Sequence, residues 1–382
     1  MRDVRVAVVP SEGADFEIRE TTIADPGPHE VLVRIVATGL CHTDVAVKDG
    51  DLPAQYPEVL GHEGAGIVEA VGEHVTHVEP GDPVVLSYGS CGHCRTCRRG
   101  DPAYCAHFEA YNFGNERQGG EDDVLGDGLH AAFFQQSSFA TFAIAHERNT
   151  VKVPDDVDLA LLGPLGCGVQ TGCGAVLRSL RPPAGSTLAV WGVGTVGLSA
   201  VMGAKISGCA RIVAIDVQPE RLEMAKSLGA TDVFDASDDD VVEQIQEALG
   251  RPLEFAVECS GRPDAASQAF ESLGQMGVLA VVGAPPGGTE YSFDANDLIL
   301  KGVRIVGVVE GEAEVRSFIP ELIELHRQGR FPFDKLVTRF DFDDINEAVE
   351  KMGSGDVIKP VLEAWWNDDI TVHVNPTGKF EV

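Results

Sequence analysis

Residues 186–216 read STLAVWGVGTVGLSAVMGAKISGCARIVAID. An apolar strand (TLAVW) runs into a glycine turn, a helix of small residues follows, and a second apolar strand (RIVAID) ends at Asp216. Gly192, Gly194 and Gly197 form G-x-G-x-x-G, a weak signal alone that gains its weight from the strand before it and the helix behind it. Gly192 permits the tight turn, Gly194 lets the backbone approach a pyrophosphate, and Gly197 lets helix and sheet pack closely. The helix N-terminus offers free N–H groups and the positive end of its dipole to the phosphates. The Asp216 carboxylate suits both hydroxyls of an adenosine ribose and repels a 2′-phosphate. Val217 and Gln218 put no positive charge beside it. NAD is therefore expected over NADP, with Arg221 grouped among the cofactor-binding residues.

Outward from this stretch, strand-like runs (FAVECSG, VLAVVGAPP, VRIVGVV) alternate with helical ones such as PERLEMAKSLGA. Such alternation predicts an α/β, doubly wound parallel sheet over 169–305. Residues 1–168 differ: VRVAVV, EVLVRIVAT, GAGIVEAVG and DPVVLS are short, β-branched and punctuated by glycine, which predicts a β-rich, barrel-like domain. The segment 106–138 reads as a long excursion whose Phe113, Phe133 and Phe134 either border a pocket or pack. Residues 306–382 are expected to return to the first domain, ending in a short acidic tail with no assigned role.

The chain has 382 residues, 44% of them hydrophobic, enough for two domains with substantial cores. No apolar run is long enough to span a bilayer. MRDVRVAVVP enters a strand pattern directly, without the features of a signal peptide, so a cytoplasmic location is expected. The net charge of −31 argues against a nucleic-acid partner, which needs clustered Lys and Arg. The acids are dispersed, with only short runs such as Glu121–Asp123 and Asp238–Asp240. An acidic, lysine-poor surface stays hydrated at high salt, so a halophilic setting is expected.

Cys91, Cys94, Cys97 and Cys105 stand in C-x2-C-x2-C-x7-C. Four cysteines can also oxidise in pairs, but spacing this tight favours a closed tetrahedral all-thiolate site for zinc, which leaves no position for a substrate. A second set is spread widely: Cys41 in GLCHTD, His62 in LGHEGAG and Cys167 in GPLGCG. Each is weak alone, since a lone buried cysteine is usually a small core residue. Together they suggest a two-thiolate, one-imidazole zinc site with an open fourth position.

With these residues in the order GHEGAG, four-cysteine lobe, GVGTVG, nearly the whole chain resembles the zinc-dependent medium-chain alcohol dehydrogenases. NFGNER, FFQQSSFAT, LLGPLGCGVQTG and IELHRQGRFPFDKL resemble the NAD-dependent aryl-alcohol (benzyl-alcohol) branch. The resemblance implies a Rossmann domain and a GroES-like catalytic domain, two zinc ions per chain and a homo-oligomer, dimer or tetramer. It implies that Cys41, His62 and Cys167 hold catalytic zinc, with Glu63 approaching the metal during ligand exchange. Asp44 would orient the His62 ring, Thr43 would hydrogen-bond the substrate hydroxyl, and His42 would lie near the pyrophosphate. Cys91, Cys94, Cys97 and Cys105 correspond to the family's structural lobe. One departure is Ala46, where many relatives end their proton relay in histidine.

The expected reaction is NAD-dependent oxidation of primary, aromatic alcohols to aldehydes, and the reverse. Allylic, terpenoid or aliphatic alcohols, or thiol-conjugated formaldehyde, stay open as substrates. A zinc-free quinone reductase shares the fold but has no use for Cys41, His62 and Cys167. A non-catalytic dinucleotide-binding protein would keep the lobe without an open zinc site.

Overall fold

The computed structural model describes residues 1–118, 124–364, 373–374 and 380–381. The Glu121–Asp123 run and most of the acidic tail lie outside them. The chain forms two units: Met1–Cys167 with Glu314–Pro320 and Leu336–Val382, and Gly168–Ala313 with Glu321–Lys335.

The first unit is built on β1 (Arg2–Val9), β2 (Glu17–Ile23), β3 (Glu30–Gly39), β4 (Glu58–Val59), β5 (Gly64–Val71), β6 (Pro83–Leu86), β7 (Phe142–His146) and β8 (Thr150–Lys152). Strands β2-β1-β4 make a small sheet. A larger one takes two strands from the end of the chain. Val31, Val33 and Ile35, at alternate positions of β3, enter a core with Val68, Val84 and Leu86, as a period of two requires. Antiparallel register pairs Thr38 of β3 with Gly64 of β5. Cys41, just past the end of β3, is thereby brought beside His62 and Glu63, just before β5.

In the second unit, β9 (Thr187–Trp191), β10 (Arg211–Asp216), β11 (Asp232–Asp235), β12 (Leu253–Glu258), β13 (Leu273–Val281) and β14 (Arg304–Gly307) form one parallel sheet. Its order is β11-β10-β9-β12-β13-β14. Counted within the unit this is 3-2-1-4-5-6, the doubly wound order whose switch point, between the first and fourth strands, binds dinucleotides. Trp191, Val213 and Ile215 are buried with Ile245, Phe270 and Leu279. Strands covered on both faces read as unbroken apolar runs for this reason.

The last segment rejoins the first unit through β15 (Val337–Asp341) and β16 (Lys359–Glu363). The larger sheet runs β15-β16-β3-β5-β6-β8, with β7 also on β3. Glu321–Lys335 group with the second unit, where Arg178 Nη2 meets Glu321 Oε2 at 2.6 Å. The return is thus interleaved, unlike the single crossing at 305/306 expected from sequence. No helix among the described residues is long and apolar enough to cross a membrane.

Candidate metal and dinucleotide sites

Within the first unit, ligand atoms of Cys41, His62, Glu63 and Cys167 lie within 4.8 Å of one another. Cys41 caps the short helix His42–Lys48, and Cys167 follows a turn whose Gly166 carbonyl accepts from Ser87 Oγ at 2.6 Å. The buried Asp44 carboxylate organises the set. It accepts from His62 Nδ1 at 2.9 Å, Gly61 N at 3.1 Å and Cys41 N at 2.9 Å. With Nδ1–H committed, Nε2 carries the His62 lone pair. That nitrogen is buried and has no hydrogen-bond partner.

The electrostatics suit a metal. The hydrogen bond with Cys167 holds the Cys41 thiol well below its ordinary value, against burial, with help from Lys359 and His62. Burial works against a charged His62 ring, but Asp44 and Cys41 more than offset it. The surroundings therefore favour a positive charge at the ring, which a cation on Nε2 would supply in place of a proton. Two thiols and an aimed imidazole form the N/S donor set that zinc prefers, and an unpaired buried nitrogen is costly unless a ligand satisfies it. The residues fit a zinc ion.

Two contributors have no role in the sequence reading, and for a third, the Phe133–Phe134 pair, the sequence leaves bordering a pocket and packing both open. Lys359 Nζ, buried on β16, lies 2.9 Å from both carboxylate oxygens of Glu63 and 3.0 Å from Leu40 O. Gln136 donates to His62 O and Ser87 O, at 2.9 Å each, and accepts from Gly64 N at 3.1 Å. Phe134 stacks on the His62 ring at 4.5 Å, with Phe133 edge-on at 5.5 Å. Phe133 and Phe134 therefore pack against the His62 ring. A lysine opening an apolar strand was the available signal for Lys359.

Thr43 Oγ1 is 3.8 Å from Cys41 Sγ, while His42 is exposed and Ala46 half-buried. The lobe cysteines 91, 94, 97 and 105 bring all four sulfurs within 4.8 Å of one another. Cys91 Sγ and Cys97 Sγ are 3.9 Å apart, close to the edge of about 3.8 Å that a tetrahedron with zinc–sulfur bonds near 2.3 Å requires. All nine cysteines are free thiols.

In the second unit, Gly192 adopts φ +79°. A Cβ at Gly197 would sit 2.0 Å from Gly192 O, whereas one at Gly194 would meet only Arg221 Nη1, at 4.0 Å. Room is therefore left above Gly194 for a ligand, at the start of the helix Thr195–Ser207. Asp216 Oδ2 accepts from Val193 N at 2.8 Å and Oδ1 from Gln218 N at 3.0 Å. These bonds lock the carboxylate to the glycine turn, and each oxygen keeps a lone pair for a hydroxyl. Arg221 Nε is buried with no hydrogen-bond partner. The cradle fits a dinucleotide.

Comparison with known proteins agrees. Residues 27–155 match the alcohol dehydrogenase GroES-like domain and residues 195–326 the zinc-binding dehydrogenase domain. The chain belongs to the zinc-dependent medium-chain alcohol dehydrogenases. Among solved members of this dehydrogenase family, benzyl alcohol dehydrogenase from Acinetobacter calcoaceticus is 48% identical, with TM-score 0.92, over 95% of this chain and 100% of that one. An alcohol dehydrogenase zinc-binding domain protein from Burkholderia ambifaria is 49% identical, with TM-score 0.92, over 95% of this chain and 99% of that one. Geraniol dehydrogenase of Castellaniella defragrans is 42% identical over 94% of this chain and 97% of its own length.

Proposed function

We propose that this dehydrogenase oxidises primary alcohols whose carbinol carbon adjoins an sp2 carbon, aromatic (benzyl-type) alcohols first, with NAD as acceptor, and runs the reverse reaction on the aldehydes. The observation that carries the reaction is the His62 Nε2 lone pair, aimed with the Cys41 and Cys167 sulfurs at one point by Asp44. Two relatives support the substrate class, one named for benzyl alcohol and one for geraniol. Both alcohols give conjugated aldehydes. The aromatic reading is placed first on the NFGNER and FFQQSSFAT stretches, and the allylic reading follows from the second relative.

Cys41, His62 and Cys167 would hold the catalytic zinc, and Cys91, Cys94, Cys97 and Cys105 a structural one. When bound, zinc supplies Lewis acidity to the alcohol oxygen and NAD accepts the hydride. The residues of the chain do the rest. Asp44 keeps His62 in the tautomer that presents Nε2. Burial pushes the Glu63 carboxyl above its ordinary value, and the Lys359 ammonium at 2.9 Å opposes that rise. Thr43 Oγ1 can accept the alcohol proton while donating its own onward, and with Ala46 unable to titrate, water takes the proton from there. Asp216 and Arg221 would bind the adenosine end of the cofactor, with Gly192, Gly194 and Gly197 under the pyrophosphate.

The test is turnover of benzyl alcohol, geraniol and a short aliphatic alcohol with NAD and with NADP, beside a metal count. Two zinc ions per chain, NAD preference and faster turnover of the two conjugated alcohols are expected. In Asp216→Gly the preference for NAD should shrink by about 2–4 kcal/mol, a charged bidentate hydrogen-bond pair. Equal use of both cofactors by the wild type, or preference for the aliphatic alcohol, would overturn the reading.

A further inference from the structure

The four thiols of the lobe have two imidazoles beside them. His93 and His107 are exposed, and one ligand atom from each lies within 4.8 Å of the other and of Cys91 Sγ. His93 Nδ1 pairs with Cys91 O at 2.9 Å, which fixes Nδ1–H as donor and leaves Nε2 as the nitrogen with a lone pair. The His107 ring lies 6.0 Å from that of His93 and stacks on Tyr111 at 5.5 Å. Tyr111 packs with Cys91 and Cys105, so the ring is supported from the lobe's own core.

We propose that His93 and His107, with Cys91 Sγ shared between this set and the four thiolates, form a second, weaker position for a borderline divalent cation such as zinc. Two imidazoles and a sulfur select this class of ion over magnesium or calcium, which take oxygen ligands. A thiolate keeps lone pairs after binding one metal and can bridge to another. The position is weaker for three reasons. Its sulfur is already engaged, its nitrogens are neutral, and Arg95, Arg98 and Arg99 add positive charge to the same loop. Both imidazoles face solvent, so an ion can enter without opening the fold, and it would then stand one ligand exchange away from the closed site. The inference rests on the reading of the four cysteines as a zinc site.

Cadmium NMR of the cadmium-exchanged holoprotein separates the two claims. Titration with further cadmium is expected to fill one additional position and to shift the all-thiolate resonance as Cys91 becomes a bridge. In His93→Gln/His107→Gln the affinity for the added ion should fall at least about tenfold, with the all-thiolate signal kept. His29→Gln/His74→Gln, which removes another close imidazole pair with ring centroids 4.8 Å apart, should change nothing. Undiminished binding by the His93/His107 variant, or an all-thiolate signal indifferent to added cadmium, overturns the proposal alone. Absence of any all-thiolate signal overturns the zinc reading of the lobe and this proposal with it.

Discussion

Lys359 and Glu63 form a buried ion pair beside Cys41, His62 and Cys167. Such a pair adds little net stability while intact, yet removing one partner leaves a charge without compensation, at about 3–5 kcal/mol. Lys359→Met should therefore lower the thermal midpoint sharply and weaken zinc retention, and Glu63→Gln added to it should restore most of the midpoint. Independent, additive losses would show that the two side chains do not act as a pair. Glu58 is a second buried carboxylate, and its proton should be visible in stability. Burial pushes it up to about 7, against hydrogen bonds from Gln55 N and Asn115 Nδ2. Between the ordinary carboxylate value and about 7 the folded chain keeps a proton that the unfolded chain has released. This contribution is complete below the unfolded value and is lost as pH rises through about 7, by about 3 kcal/mol at most. Thermal midpoints measured from pH 4.5 to 7.5 should fall more steeply for the wild type than for Glu58→Gln. Parallel curves would mean that Glu58 ionises in the folded chain as it does in the unfolded one.

Among the elements, the lobe and the ligand loops should fail differently. The lobe has a small apolar cluster around Tyr111, Phe108 and its own cysteines, so the metal would supply most of what holds it. Cys94→Ser should mainly lower the thermal midpoint and soluble yield. Cys167→Ser, in a loop tied to β6 through Ser87, should abolish turnover with the fold retained. Activity surviving in Cys167→Ser would reverse the two roles. What was legible in the sequence divides along similar lines. The parallel sheet could be read because its strands are continuous apolar runs and its turn carries three glycines, all local signals. The lobe cysteines could be grouped because their spacing is itself a pattern, whereas Cys41, His62 and Cys167, spread widely, are grouped by residue type and by the family resemblance. Lys359 could not, since its partner lies 296 residues away and nothing adjacent marks it as paired. Phe133 and Phe134 were ambiguous for the same reason. An aromatic residue in an excursion lines a pocket or packs according to what the rest of the chain brings to it, and here that is His62.

Over the whole molecule, 60 acidic side chains face 29 basic ones. Exposed ion pairs such as Arg19–Glu17 and Lys226–Glu223 are present, but each contributes about 0–1 kcal/mol and is weakened by salt. The excess of like charge decides the sign. Screening shortens from about 10 Å at 0.1 M to about 3 Å at 1 M ionic strength, so repulsion among the carboxylates falls further than attraction within the pairs. The thermal midpoint and the activity should rise between dilute buffer and molar KCl. A midpoint that declines steadily with added salt would show that the pairs dominate.

The buried lysine on β16 also sets an order of events on the ribosome. Cys41, His62 and Glu63 emerge early, while Lys359 follows Glu63 by 296 residues. At about 5–20 residues per second that interval is about 15–60 s. Throughout it the nascent chain holds the Glu63 carboxylate without its counter-charge, and β3 has no β16 at its edge. The pocket around Glu63 cannot close at low cost until synthesis is nearly complete. Any metal taken by Cys41, His62 and Cys167 would reach its final seat only then, whereas the four lobe cysteines, which leave the ribosome within one short segment, could meet one while the chain is still growing.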